Sequence, residues 1–291
     1  ISFGNTIKKE RDIARAFELG IRLFAVDCVE EVEKVARAAP GARVFCRVLT
    51  DGAGAEWPLS RKFGCVPAMA VDVLRSAQQL GLDSYGVSFH VGSQQTDLAA
   101  WDRALGDAKQ VFDALAKEGI TLKMVNMGGG FPTRYLKDVP TAQAYGQAIF
   151  QALSKHFGNR LPETIIEPGR GMVGNAGVIK AEVVLVSKKA ANDNVRWVYL
   201  DIGKFGGLAE TMDEAIRYQI TTPRDGDVSE PCVLAGPTCD SADVMYEKNP
   251  YPLPISLTIG DEVLIEGTGA YTTTYSAVAF NGFEPLRSYV I

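Results

Sequence analysis

The sequence predicts an α/β protein: a TIM-like βα barrel, incomplete at the N-terminus of this chain, followed by a mostly antiparallel β domain. Short β-rich runs alternate with amphipathic helical runs over the first 170 residues, and repeated βα units imply a parallel sheet. After Arg170 long β patterns separated by Pro and Gly turns replace this alternation, as is typical of antiparallel sheet. The alternation alone is compatible with a closed barrel or an open doubly wound sheet.

The barrel half is predicted element by element from hydrophobic periodicity. The β-rich runs interpreted as strands are Ile1–Phe3, Arg22–Val26, Arg43–Leu49, Tyr85–Val91, Lys123–Met127 and Thr164–Glu167. Apolar residues three and four positions apart predict helices over Val29–Ala39, Val66–Leu80 and Leu98–Lys117. Gly81 and Gly119 follow two of these helices, where a residue with positive φ commonly ends a helix.

The second half is predicted to be β-rich, and the change of pattern places the domains at 1–172 and 173–291. Strands are expected at Gly177–Lys188, Arg196–Asp201, Glu262–Glu266 and Arg287–Ile291. An eight-stranded βα barrel takes about 250 residues, or roughly 30 for each unit. Because only six barrel strands are predicted, and because the chain begins with Ile rather than Met, we expect the first two βα units to precede residue 1.

Composition excludes several classes of function. The 291 residues are 46% hydrophobic and 22% charged with a net charge of −5, which is typical of a soluble globular protein and gives no footprint for nucleic acid. No run approaches the roughly 20 apolar residues that cross a bilayer. Five cysteines without CxxC spacing favour neither a disulfide framework nor a metal site, and a cytoplasmic location is expected.

Candidate functional residues follow the barrel strands, where the functional groups of βα barrels are found. Gly128, Gly129 and Gly130 allow backbone N–H groups to approach a phosphate, although a tight βα turn would explain them equally. A dinucleotide fingerprint is excluded because Phe131-Pro132 follows directly. No P-loop pattern occurs in the sequence, so nucleotide hydrolysis is not supported.

Three further candidates are side chains with more than one interpretation. His90 follows a strand and could lie flat against a cofactor ring, whereas His156, near a helix end, is interpreted as structural. Glu167 and Arg170 could form a structural ion pair, or the carboxylate could hold a proton on a ring nitrogen. In the second domain Cys239-Asp240 places a proton donor next to an anion beside a turn.

Six short motifs occur in one order over nearly the whole chain: SFHVGS (88–93), GGGF (128–131), EPGR (167–170), GPTCD (236–240), GAYT (269–272) and FNGF (280–283). Together they resemble the fold-type III pyridoxal-phosphate decarboxylases. That family includes enzymes for ornithine, lysine, arginine and diaminopimelate. A racemase with the same barrel is disfavoured, because GPTCD and FNGF belong to the decarboxylase pattern.

The resemblance implies pyridoxal 5'-phosphate as the cofactor and a role for each motif residue. It implies that His90 stacks on the pyridine ring and that Glu167 pairs with its protonated nitrogen. It also implies that the phosphate is held by Ser93, by the backbone of Gly128 to Gly130 and by Tyr271, with Arg170 nearby. Cys239 would protonate the substrate α-carbon, and Asp240 would bind the distal amine. In the family these last two residues reach into the partner subunit, which implies a homodimer with shared active sites.

The residue expected to bind the far end of the substrate side chain indicates the substrate class. Asp240 offers an anion that suits an ammonium group, whereas diaminopimelate carries a second carboxylate and would need a cation. The resemblance therefore implies conversion of ornithine to putrescine, of lysine to cadaverine, or of both, as in polyamine biosynthesis. Glu210, Asp213 and Glu214 could add acidic groups to the pocket, and the sequence leaves open which of them points inward.

Two departures from the family pattern affect the prediction. The Schiff-base lysine of the family lies in an aromatic-Ala-x-Lys stretch that is absent here, and Lys204 does not lie in a context that could replace it. We therefore expect this chain alone to be inactive. Pro58 stands where some relatives have an arginine. The alternative function is that of a non-catalytic homologue that keeps the fold and binds a regulatory partner.

Overall fold

The computed structural model of the chain describes residues 1–57 and 61–291. Two compact units divide the chain, one formed by Ile1–Pro132 with Pro140–Pro168 and the other by Thr133–Val139 with Gly169–Ile291. The second unit thus takes in 133–139 and 169–172, which the sequence predicts to be part of the first domain. The predicted domain limits themselves stay a prediction, and Pro58 lies outside the described residues.

The first unit is built on a parallel sheet. Its strands are β1 (Leu23–Val26), β2 (Arg43–Arg47), β3 (Ala55–Trp57), β4 (Asp83–Ser88), β5 (Ser93–Gln95), β6 (Met124–Asn126) and β7 (Glu163–Ile165). Five of them form one sheet in the order β1-β2-β4-β6-β7, and every pairing in it is parallel. β3 and β5 form a separate antiparallel pair. Each step along the sheet therefore adds the next βα unit, as in a barrel wall.

Helices connect the strands of the first unit. They are α1 (Glu10–Glu18), α2 (Val29–Ala38), α3 (Pro67–Gln79), α4 (Ala99–Lys117) and α5 (Ala142–Phe157). α3 begins with a proline in its first turn and buries Val73, Leu74 and Ala77, which is the three-and-four spacing of an amphipathic helix. The hydroxyl of Thr141 caps α5 by accepting the N–H of Ala144 at 3.2 Å.

Both faces of the parallel sheet are apolar. Alternate strand residues such as Val44, Cys46 and Val87 belong to the large core that includes the helices. On the strands' other face Phe45 and Tyr85 belong to a smaller buried cluster with Ala25 and Met124. A parallel sheet covered on both faces needs apolar residues on both, and a barrel fills its interior with such side chains.

The second unit holds α6 (Gly169–Val173) and a six-stranded sheet. Its strands are β8 (Val178–Ser187), β9 (Arg196–Leu200), β10 (Ile220–Thr221), β11 (Ser229–Ala235), β12 (Val244–Pro254) and β13 (Glu262–Glu266). Their order is β10-β13-β8-β9-β11-β12. Only the β9–β11 pairing is parallel, and the other four are antiparallel. The predicted fold class, a βα barrel part followed by a mostly antiparallel β domain, is confirmed.

The structure corrects two predicted strands. Ile1–Phe3 forms a single bridge, between Phe3 and Phe24, so five strands and not six make up the described sheet. The prediction of a strand at Arg287–Ile291 was wrong. The segment has no strand and ends with highly exposed Val290 and Ile291. Apolar and β-branched residues favour a strand, but a strand exists only where a neighbouring strand pairs with it.

Candidate active site

The predicted site segments of the first unit follow three neighbouring strands, β4, β6 and β7. Backbone pairing continues past the strands, because Met127 N donates to Ile165 O at 2.8 Å and Glu167 N donates to Gly128 O at 2.8 Å. Phe89 N likewise donates to Asn126 O at 3.0 Å. The segments carrying His90, the glycine run and Glu167 therefore lie side by side. The sequence predicts these residues at strand ends, and the structure brings them together.

The glycine run is required by close packing. A Cβ at Gly128 would lie 2.1 Å from Phe89 O, and one at Gly130 would lie 2.4 Å from Gly92 O. At Gly129 a Cβ would lie 2.8 Å from Glu167 O and 3.2 Å from His90 Nε2. The tight turn that was the alternative interpretation therefore exists, and it also brings the glycine backbone up to the His90 ring.

Two of the three N–H groups of this run are donors that a phosphate would satisfy. Gly128 N donates to Asn126 Oδ1 at 3.0 Å. Within residues 1–57 and 61–291, no acceptor takes the N–H of Gly129 or Gly130. Backbone N–H groups rarely stay unpaired when they are buried. A tight turn with two free N–H groups and no side chain in the way fits a phosphate group.

His90 is held as a neutral ring. Its Nδ1 accepts the N–H of Gly92 at 3.1 Å, so the ring hydrogen belongs on Nε2. Its carbonyl accepts the hydroxyl of Thr50 at 2.7 Å. Burial, and then the charge of Arg47, lower the pKa of His90 from 6.5 to about 4, against the opposing effect of Glu167. A neutral flat ring is suited to stacking against an aromatic cofactor.

Asn126 fixes the Glu167 carboxylate. It is the last residue of β6 and is buried, and its Nδ2 donates to Glu167 Oε1 at 2.8 Å while its Oδ1 accepts Gly128 N. Both polar ends of one amide are thus used, which orients the exposed carboxylate. Asn126 was not predicted from the sequence. The sequence feature that could have identified it is a polar residue at the end of a buried strand, directly before the glycines.

Arg47 is a second residue of this cluster that was not predicted from the sequence. It ends β2 and is half-buried. Burial lowers the pKa of the Arg47 guanidinium from its ordinary value, and the charges of Glu167 and Asp27 oppose this effect. The first unit therefore holds a cation whose charge acts on both His90 and Glu167.

Ser93 and His156 have different surroundings. Ser93 begins β5, and this strand is tied to the glycine run because Gln95 N donates to Gly130 O at 2.9 Å. His156 Nε2 lies 2.8 Å from Asp102 Oδ1, which agrees with a structural interpretation. Ser93 thus lies on the strand that is bonded to the predicted phosphate loop.

In the second unit Arg170 is buried with an internal counterion. Its Nη1 donates to Glu210 Oε2 at 2.7 Å and to the Tyr135 hydroxyl at 2.7 Å. The guanidinium carbon lies 4.7 Å from the centroid of the Tyr271 ring, a cation–π distance. Burial acts to lower the pKa of Arg170, but the hydrogen bond of Glu210 and the proximity of Tyr135 raise it above its ordinary value. Arg170 and Tyr271, both predicted near the phosphate, are therefore in contact with each other.

The three acidic candidates have separate partners. Glu210 is buried against Arg170. Asp213 is exposed and lies 3.7 Å from Lys248 Nζ. Glu214 Oε1 accepts the backbone N–H of Lys248 at 2.6 Å and of Glu247 at 2.9 Å. Their contribution to a substrate pocket stays a prediction.

Cys239 and Asp240 form an exposed turn after β11. Asn281 Oδ1 accepts both the N–H and the thiol of Cys239, at 2.9 and 3.2 Å. Asp240 Oδ1 accepts Ala242 N at 2.8 Å, and Asp243 N donates to Asp240 O at 3.0 Å. The proton donor and the anion that the sequence predicted are thus adjacent and accessible.

Two negative findings apply to the described ranges, 1–57 and 61–291. They hold no group of three or more His, Cys, Asp or Glu side chains placed to bind a metal ion. No helix in them combines the length and the apolar character needed to cross a membrane.

Comparison with known proteins gives the family. Residues 1–174 match the family described as pyridoxal-dependent decarboxylase, pyridoxal binding domain. The chain is 34% identical to lysine/ornithine decarboxylase of Selenomonas ruminantium, covering 97% of this chain and 69% of that protein. It is 31% identical to antizyme inhibitor 2 of Xenopus laevis, covering 98% and 64%. A structure of lysine/ornithine decarboxylase from Vibrio vulnificus complexed with putrescine superposes with a TM-score of 0.83 at 32% identity, covering 98% and 73%.

The chain belongs to the fold-type III pyridoxal-phosphate-dependent decarboxylases of basic amino acids. Three predictions are thereby confirmed: the family, the decarboxylase class and pyridoxal phosphate as the cofactor. The chain spans about two thirds of the length of these relatives, 69% of the first and 64% of the second. Roles of individual residues stay predictions.

Proposed function

We propose that the protein containing this chain decarboxylates ornithine to putrescine, lysine to cadaverine, or both, as a cytoplasmic enzyme of polyamine biosynthesis. The main support for the proposal is the cluster of His90, Gly128 to Gly130 and Glu167 at the strand ends of the first unit. There the Glu167 carboxylate, fixed by Asn126 at 2.8 Å, lies beside a neutral His90 ring and a glycine turn with free N–H groups.

The residues present fit the cofactor. The N–H groups of Gly129 and Gly130, together with Ser93, would hold its phosphate, and His90 would lie against its ring. When bound, pyridoxal phosphate supplies an electron sink for the pair of electrons left on the α-carbon as carbon dioxide departs. Arg170 and Tyr271 remain the candidates for phosphate contacts from the second unit, where they already contact each other.

Glu167 would keep a proton on the ring nitrogen. That proton lets the ring accept electrons, so an anion held against the nitrogen is the main electronic contribution of the protein. The amide of Asn126 holds the carboxylate in one orientation, and Arg47 supplies a positive charge that acts on the same carboxylate. Geometry fixed before the reaction begins is what electrostatic catalysis requires.

Cys239 would donate a proton, and Asp240 would bind the distal ammonium group of the substrate. The Sγ–H bond breaks as the proton reaches the α-carbon, and the remaining thiolate takes a proton back from water. Asp240 offers a carboxylate oxygen that an ammonium group can reach, because its turn is exposed. We propose a homodimer in which these two residues serve the barrel of the partner chain.

Relatives support a second candidate function. Antizyme inhibitor 2 of Xenopus laevis matches this chain over 98% of its length, so a non-catalytic homologue that binds a regulatory partner is the alternative. The fixed Glu167 and the accessible Cys239 favour the enzyme, because binding a partner protein needs neither a ring-nitrogen carboxylate nor a proton donor. Formation of an amine product by the full-length protein distinguishes the enzyme from the regulatory homologue.

The test is an assay of the full-length protein. Cofactor absorbance and amine formation should both be found, with activity on ornithine, lysine or both and less on arginine. No aromatic-Ala-x-Lys stretch lies within residues 1–291, so the proposal requires the cofactor lysine from outside this chain, and the chain alone should be inactive. A full-length protein that binds no cofactor and forms no amine would support the regulatory function instead.

A further inference from the structure

Asn281 accepts two hydrogen bonds from Cys239 through a single oxygen. The N–H of Cys239 lies 2.9 Å from Oδ1 of Asn281, and Sγ lies 3.2 Å from the same atom. A backbone N–H is only a donor, so the Asn281 atom facing it must be the oxygen. The thiol faces that same oxygen, and it must therefore donate its hydrogen.

The backbone at Asn281 is adapted to this contact. Its φ is +52°, in the left-handed region that asparagine and glycine enter more readily than other residues. The preceding residue Phe280 packs on Phe205 with ring centroids 4.6 Å apart, and Ala277 N donates to Phe205 O at 2.9 Å. The segment that carries Asn281 is thus fixed onto a neighbouring loop.

Asp243 holds the Cys239 turn against the same loop. Its buried carboxylate accepts Lys204 N at 2.8 Å and the Thr238 hydroxyl at 2.8 Å. Gly203 and Gly236 lack side chains where a Cβ would lie 2.1 and 2.3 Å from this carboxylate. Cys239 and Asn281 are therefore placed by one connected frame.

From this geometry we propose that Asn281 is a positioning residue that accepts the thiol hydrogen of Cys239 and so holds the S–H group oriented to donate a proton. The inference rests on the proposed function, since it assigns a role within the same reaction. An oxygen acceptor stabilises S–H and repels a thiolate, and only the thiol has a proton to give. Rotation about the Cβ–Sγ bond turns the hydrogen away from Asn281 and towards a substrate carbon.

The first test measures alkylation of Cys239 by iodoacetamide at one mildly alkaline pH. Peptide mass spectrometry gives its rate relative to Cys28, which is half-buried and distant in sequence. Because the thiolate is the reactive form, Asn281→Gly should raise the ratio roughly threefold to tenfold by removing the acceptor while keeping positive φ. Asn281→Asp keeps an acceptor and adds a negative charge, so the ratio should fall below that of the unmutated protein.

Opposite changes in the two variants support the proposal. A merely structural side chain would give changes in one direction or none, and either result overturns it. In the full-length enzyme Asn281→Gly should lower kcat about tenfold with KM unchanged, as expected for a lost orientation of a reacting group. An unchanged kcat overturns the catalytic part. If the unmutated enzyme forms no amine, the proposed function fails, while the alkylation ratio still decides whether Asn281 controls the thiol.

Discussion

Arg170 and Glu210 form a bidentate ion pair in the interior of the second unit, at 2.7 Å through Nη1 and 2.5 Å through Nη2. Both side chains are almost fully buried, with 4% and 6% of their surface exposed. Breaking such a pair leaves an uncompensated buried charge, so Glu210→Ala should lower the free energy of unfolding by about 3–5 kcal/mol. Urea denaturation of the purified chain measures this change.

The matched control is an exposed ion pair of the same unit. Lys180 Nζ lies 2.6 Å from Glu262 Oε1 with more than half of each side chain exposed. Glu262→Ala should therefore cost about 1 kcal/mol or less. Equal losses for the two variants would show that the Arg170 charge is not buried in solution.

The stability of the first unit should depend on the charge of His90. Burial lowers its folded-state pKa from 6.5 to about 4, so between these values the unfolded chain binds more protons. Stability is then fully present above about pH 6.5 and decreases as the pH falls towards 4, by up to a few kcal/mol at about 1.4 kcal/mol for each pKa unit. His90→Gln should remove this part of the pH dependence, as measured by urea midpoints over that range.

His156→Gln is the control for this measurement, because it removes the other histidine of the chain. The decrease in stability that His90→Gln removes should persist in this variant. Identical pH profiles for the unmutated chain and His90→Gln would contradict the buried, neutral state of the ring.

Glu167→Ala should reduce turnover in the full-length enzyme far more than it weakens substrate binding. Its carboxylate acts on charge that develops during the reaction, so kcat should fall by a factor on the order of 100 with little change in KM. Glu163→Ala is the control, because Glu163 begins β7, the strand that leads to Glu167, and its carboxylate accepts the Tyr85 hydroxyl at 2.8 Å. A normal kcat in Glu167→Ala would exclude the ring-nitrogen role.

The sequence predicted the strand-end cluster because parallel strands place their carboxyl ends along one edge. His90, Gly129 and Glu167 were identified as residues following buried runs, and the structure brings them together. Asn126 and Arg47 were not identified, because a polar residue at the end of a strand is indistinguishable from an ordinary strand boundary. Their importance depends on which residues they contact across neighbouring strands, and a single sequence does not contain that information.

The second domain was less predictable for a related reason. β11 and β12 were not predicted, and they contain Pro231, Pro250, Pro252 and Pro254, residues that argue against a central strand. β12 lies at the edge of the sheet, where a missing N–H is tolerated. Pro231 pairs with Pro252 of β12 and precedes Cys232, the first residue of β11 that pairs with β9. Pairing with strands distant in sequence determines whether β11 and β12 form. The lack of such a partner likewise explains why no strand forms at 287–291.

Asp240→Ala should weaken binding of ornithine or lysine without a comparable loss of turnover. The loss of one charge-assisted hydrogen bond to the distal ammonium group, worth about 1.5–3 kcal/mol, corresponds to a rise in KM of roughly 10-fold to 150-fold. Glu262→Ala is the control, since Glu262 is an exposed carboxylate of the same unit that has no proposed role in the site. An analogue without the distal amine should react equally with both variants, and a selective loss with that analogue would count against Asp240 as the amine partner.

The proposed sharing of active sites between subunits predicts that two inactive variants restore activity when mixed. Glu167→Ala and Cys239→Ala each damage both sites of their own homodimer. With free exchange about half the dimers are mixed, and each mixed dimer holds one site with neither change, because a two-fold interface repeats the same contacts. Activity should therefore recover to about a quarter of the unmutated level. If Glu167 and Cys239 served a site within one chain, every mixed dimer would hold two damaged sites. Absence of recovery, with exchange confirmed by tagged subunits, would place the whole site in a single subunit.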